Sequence, residues 1–164
     1  MRLALLVPAA LVALALGAGP AGASSSGCSL AAAKAAIAAT KVPVPGLSPS
    51  TPVSPRQADG VICFDFTRDG RTDMAVTIFS GGTAGDIAFV VFRAKPAGWR
   101  VALARGGYKL GLVRVGGDLV ATQPVYHEND PNCCPTGGFD HERWHWNGSR
   151  FGVVRSWHDK RFRP

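Results

Sequence analysis

The sequence predicts a mainly β protein of the α+β type, with an N-terminal helix packed on a twisted antiparallel sheet or small barrel of about eight short strands. Three observations predict it. From Gly60 onward, short runs rich in Val, Ile, Phe and Trp recur about every ten residues. Glycine pairs and an Asn-Gly dipeptide punctuate those runs, with connectors too short for parallel crossovers. One alanine-rich stretch near the start has helical composition.

Taken in chain order, the first 23 residues read as a secretory signal. Arg2 supplies the positive end, Leu3 to Leu16 the apolar run, and Ala21-Gly22-Ala23 the small-residue cleavage pattern. No later stretch is long and apolar enough for a membrane helix, so a secreted or otherwise extracytoplasmic domain without a transmembrane segment is expected. A rival reading makes Cys28 a lipidated N-terminus, but Ser24, Ser25 and Ser26 stand where a lipoprotein signal wants an aliphatic residue.

Ser29 caps a helix expected from Leu30 to Lys41, with Leu30, Ala33 and Ile37 on one face. Pro43 ends it. Val42 to Gln57, carrying Pro43, Pro45, Pro49, Pro52 and Pro55, reads as an extended connector lying along the surface, so the helix and connector occupy residues 24–58 and the β region 59–164 of one domain. The expected strands are Val61 to Phe66, Asp73 to Phe79, Asp86 to Arg93, Trp99 to Ala104, Tyr108 to Val115, Leu119 to Tyr126, His141 to Trp146 and Phe151 to Trp157. Asn147-Gly148 predicts a two-residue hairpin between the last two. The glycine pairs lack the strand, loop and helix context of a phosphate cradle.

Exported cysteines are oxidised by default, so Cys28, Cys63, Cys133 and Cys134 are disulfide candidates with three pairings open. Cys28 with Cys63 would tie the helix to a core strand, leaving the adjacent Cys133 and Cys134 to bridge across a distorted peptide. The formal charge of +7 is concentrated in the last stretch, which includes Arg155, Arg161 and Arg163. A solvated basic tail explains it; an anionic glycan or cell-wall surface is the functional alternative, and no nucleic-acid partner is expected because no reading motif is present.

One loop carries chemistry. Asp65, Thr67, Asp69 and Asp73 place side-chain oxygens at positions one, three, five and nine, Gly70 allows a sharp turn, and Arg71 offers a carbonyl. Calcium wants six to eight oxygens at about 2.3–2.6 Å, and these five residues are the candidate metal ligands. The segment resembles the aspartate-rich calcium loop of FG-GAP and VCBS repeats, which precedes a strand as Met74 to Ile78 does here. The resemblance implies a structural calcium ion. It covers about fifteen residues in a single copy, with Arg68 where those families have glycine. An EF-hand is disfavoured because Val76 occupies the position of its bidentate glutamate. The plain alternative is a hairpin turn with Arg68 and Arg71 balancing the acids in solvent.

A second segment, Pro124 to Gly138, followed by Trp144-His145-Trp146, is dense in unusual residues. Its Cys-Cys-Pro run before a tryptophan-bearing strand resembles small exported envelope proteins of the LppP/LprE type, which implies an extracytoplasmic location. His127, Glu128, His141 and His145 form a conceivable zinc set, but residues 141 and 145 of one strand lie roughly 13 Å apart. Trp144 and Trp146 face the other way and read as packing. Cys133 or Cys134 with His127 and Asp130 could be drawn as nucleophile, base and orienter, but oxidation would disable the thiol. No catalytic residue is assigned. The expectation is a non-enzymatic exported domain with a binding or envelope role, an unidentified extracellular or envelope partner and a structural calcium loop. A hydrolase built around residues 124–138 and a basic glycan-binding module are its rivals.

Overall fold

The computed structural model describes residues 27–44 and 52–161. The expected signal segment, Pro45, Pro49 and Arg163 therefore lie outside the described residues. The elements are α1 (Leu30–Thr40), a 3-10 turn (Pro55–Gln57), β1 (Ala58–Phe64), β2 (Asp73–Phe79), β3 (Asp86–Lys95), β4 (Gly98–Gly106), β5 (Gly111–Val115), β6 (Asp118–Pro124), β7 (Phe139–Trp146) and β8 (Phe151–Asp159). The helix and the eight antiparallel strands are those the sequence predicts, displaced by a few residues at their ends. They form two four-stranded meanders, β1-β2-β3-β4 and β5-β6-β7-β8, and neither sheet closes into a barrel.

Ser29 caps α1 by accepting the Ala32 N–H at 3.1 Å, and the helix stops at Lys41, whose φ of 46° is left-handed. Its alanines keep the side facing the sheet thin. Ala32, Ala33, Ala36 and Ile37 pack with Met74, Val76, Ile78, Ala88, Val90 and Phe92 from one face of the first sheet. On the other face, Ala75, Phe89 and Val91 meet Leu119, Ala121, Trp146 and Phe151 of the second sheet. The protein is thus layered helix, sheet, sheet. Strand β3 is covered on both sides, which is why Ala88 to Phe92 is a continuous apolar run and not an alternating one. The Cys28–Cys63 disulfide, with Cα atoms 5.8 Å apart, fastens the start of the helix to β1. Cys28 cannot also carry a lipid thioether, because that sulfur is already bonded, so the lipidated reading is corrected here.

Two further expectations are corrected by packing. The connector does not simply run along the surface: Val42, Val44 and Val53, at its described ends, are buried in the helix-side core. Apolar valines between prolines gain more from the core than from water. The turn after β7 is also wider than the Asn-Gly pair suggests, because Trp146 pairs with Phe151 and leaves Asn147 to Arg150 as the loop. Asn147 Oδ1 accepts from Ser149 N, Ser149 Oγ and Arg150 N, which stabilises the longer turn. Two-residue turns fall instead at Pro96-Ala97, between Lys95 and Gly98, and at Gly116-Gly117, between Val115 and Asp118.

The chain leaves the first sheet at residues 107–110, where Gly107, Lys109 and Leu110 donate to the carbonyls of Ile87, Ala84 and Asp86. A Cβ at Gly107 would lie 2.5 Å from Gln123 Oε1 and 2.8 Å from Leu110. Only glycine permits that close crossing.

Candidate functional site

The acidic loop is built from side chain to backbone bonds. Asp65 accepts from the N–H groups of Asp69 (3.1 Å) and Gly70 (2.9 Å), folding the turn around itself. Asp69 accepts from Arg71 N at 3.2 Å and is engaged by the Arg93 guanidinium at 3.0 Å, with Lys95 at 3.9 Å. Asp73 is wholly buried, and its two oxygens accept from Thr67 N and Ala94 N, each at 2.9 Å. Arg68 adopts a φ of 56°, in the left-handed region that favours glycine.

The charges of these groups follow from their surroundings. Burial raises the Asp73 carboxyl above its ordinary value, opposed by the N–H groups of Ala94 and Thr67. Burial alone would also raise Asp69, but the hydrogen bonds from Arg93 and Arg71 N and the charges of Arg93 and Lys95 hold it below its ordinary value. Each carboxylate has its own protein donors. Among the described residues, no group of three or more His, Cys, Asp or Glu side chains is gathered so that it could hold a metal ion. Thr67, the third position of the loop, is buried, and its Oγ1 has no hydrogen-bond partner.

The histidines are likewise dispersed. His141 and His145 share the outer face of β7, but His141 Nδ1 lies 2.9 Å from Thr122 Oγ1 and its ring stacks on Trp157. His145 Nδ1 lies 2.6 Å from Asp118, which also takes Arg143, while His127 is exposed. Trp146 lies in the core between the sheets and Trp144 packs against it, as their face of the strand predicts. Of the basic tail, Arg155 lies over the Trp157 ring and Arg161 is exposed.

Residues 125–138 connect β6 to β7 without regular structure, yet they are closely tied. Val125 N donates to Gly138 O and Gly137 N to Val125 O, closing the base of the loop. A Cβ at Gly137 would sit 2.6 Å from that carbonyl, so the closure needs glycine there. Asp130 accepts from Thr136 N and His127 N at 2.8 Å each and from Thr136 Oγ1 at 2.7 Å; these bonds hold its carboxyl below the ordinary value. Cys133 and Cys134 are joined as an adjacent-residue disulfide, and no described cysteine is free.

Two residues outside the loop anchor it. Lys109 donates to Tyr126 Oη at 3.0 Å and to the Asn132 carbonyl, and Tyr108 Oη donates to Asn132 Oδ1. Sequence inspection missed both. Their roles depend on a partner more than fifteen residues away, and the local pattern Gly-Tyr-Lys-Leu carries no sign of it. Against the loop lies a concavity of about 310 Å³, lined by Lys109, Leu110, Tyr126, Cys133, Pro135 and Phe139 among others. Its walls mix apolar surface from Leu110, Pro135 and Phe139 with polar groups from Lys109, Thr122 and Tyr126.

No protein family model, curated protein or solved structure matches the chain. Function must therefore be argued from this geometry.

Proposed function

We propose that this chain is an exported, non-enzymatic binding domain that seats its ligand in the groove under the 125–138 loop. One observation carries the reading: an irregular loop fixed by Lys109, Tyr108, Asp130 and the Cys133–Cys134 bond stands over a concavity with apolar walls at Leu110, Pro135 and Phe139. A groove held in shape before binding loses little ordering entropy when it is filled. Asp130 engages the backbone of His127 and not its ring, and both thiols are consumed, which favours binding over a cysteine-based hydrolase. Nile red, an uncharged apolar dye, tests the groove. Its emission should shift to the blue with the wild type and not with Tyr126→Ala or the Cys133→Ser/Cys134→Ser variant. Equal emission from all three proteins would reject the groove.

Calcium at Asp65, Thr67, Asp69, Arg71 and Asp73 is a second reading, favoured by the spacing of their oxygens around the turn at Gly70. An ion there would have to compete with Arg93 for Asp69. Melting with calcium and with chelator tests it: calcium should raise the midpoint of the wild type and not that of Asp65→Asn, and superimposed wild-type curves would dismiss the ion.

A further inference from the structure

A separate cleft of about 450 Å³ opens where the start of α1, the end of the acidic loop and the β3–β4 turn meet. Gly27, Cys28, Arg71, Thr72, Lys95 and Trp99 bound most of it, together with Ala94 and Pro96, and none of these is acidic. The volume lies within the range of about 300–1,000 Å³ found for small-molecule sites.

What lines this cleft is one-sided in its chemistry. The Arg71 guanidinium makes no hydrogen bond or ion pair with another described residue, nor does the Thr72 hydroxyl or the Trp99 indole N–H. Lys95 has only Asp69 at 3.9 Å, on an oxygen that Arg93 already holds at 3.0 Å. Arg71 is thus left with no carboxylate and Lys95 with a distant share of one. Guanidinium offers a planar fork that fits carboxylate or phosphate through two parallel bonds, and ammonium adds a point charge. Trp99 is only partly covered by the helix-side core, and a tryptophan of this kind offers a large apolar surface with a polar edge.

We propose that this cleft binds an anionic saccharide, with Arg71 and Lys95 holding its carboxylate or phosphate and Trp99 lying against its ring. The site shares no lining residue with the groove under Tyr126 and does not depend on it.

The test follows the Trp99 indole resonance by NMR, in protein secreted from its full coding sequence. Glucose 6-phosphate and glucuronate are titrated as anionic sugars, with glucose and inorganic phosphate as their neutral and ringless controls. At least one anionic sugar should give a saturable Trp99 shift, at least about tenfold tighter than either control, and the tighter of the two identifies phosphate or carboxylate as the recognised group. Arg71→Gln and Lys95→Gln should each weaken it about tenfold, while Arg155→Gln leaves it unchanged. Three results would overturn the proposal: no saturable shift with either sugar, inorganic phosphate binding as tightly as both, or Arg155→Gln weakening binding as much as Arg71→Gln.

Discussion

The loop at residues 65–73 and the loop at residues 125–138 are made of similar materials and used in opposite ways. Both are polar turns containing glycine, and both close through a carboxylate that accepts backbone N–H groups, Asp65 in the first and Asp130 in the second. The first reaches into the protein, burying Phe66 between the sheets and bonding Asp73 to Ala94 of β3. The second closes on itself through Asp130 and touches the body mainly through Lys109 and Tyr108. A polar turn is therefore scaffold or presentation surface according to where its carboxylates find donors. Residue type alone does not distinguish them.

The two disulfides give the largest contrast. Cys28 and Cys63 are 35 residues apart, and closing that length of chain is worth about 4 kcal/mol in the chain-entropy account. The Cys28→Ser/Cys63→Ser variant should lose about that much in urea unfolding. Cys133→Ser/Cys134→Ser removes a bond that closes almost no chain, and its melting midpoint should stay within about 2 °C of the wild type. Similar losses from both variants would break the distinction between scaffold and surface.

Next in size is Asp73. Asp73→Asn places an amide against one of two buried N–H groups, and about 2–3 kcal/mol should be lost in the same unfolding measurement. Asp65→Asn acts in the exposed part of the same loop and should cost about 1 kcal/mol or less. If the two losses were equal, burial would not be what makes the first loop a scaffold.

The smallest effect is a pH dependence that belongs to neither loop. Burial, then the charge of Asp59 and its hydrogen bond, push the Asp86 carboxyl up to about 6 from an ordinary 3.8. The folded state therefore holds this proton more tightly than the unfolded state. Its stabilising contribution is full below the unfolded value and is lost as pH rises through about 6. Asp86→Asn should flatten that segment of the stability profile, raising the midpoint by about 1–3 °C near neutral pH and not at all near pH 4. A wild-type profile reproduced by the variant would assign the slope to another carboxyl shifted the same way, such as Asp73, which burial also raises.

The amino-acid sequence by itself determined the parts of the protein whose causes are local. Ser29 before an alanine run fixes the start of α1, and Asp73 to Phe79 is a strand with the bounds its composition predicts. The opposed faces of β7, His141 and His145 on one and Trp144 and Trp146 on the other, follow from a period of two. Only the tertiary structure decided where the sheet divides, which valines of the connector are buried, and that Asp69 belongs to Arg93, Asp73 to Ala94 and Asn132 to Lys109. The same holds for the cleft that sets Arg71 beside Lys95 and Trp99. Helix and strand periods are set by neighbouring residues, whereas a carboxylate's partner or a cleft's lining is chosen by how separate elements pack, and no local pattern records that choice.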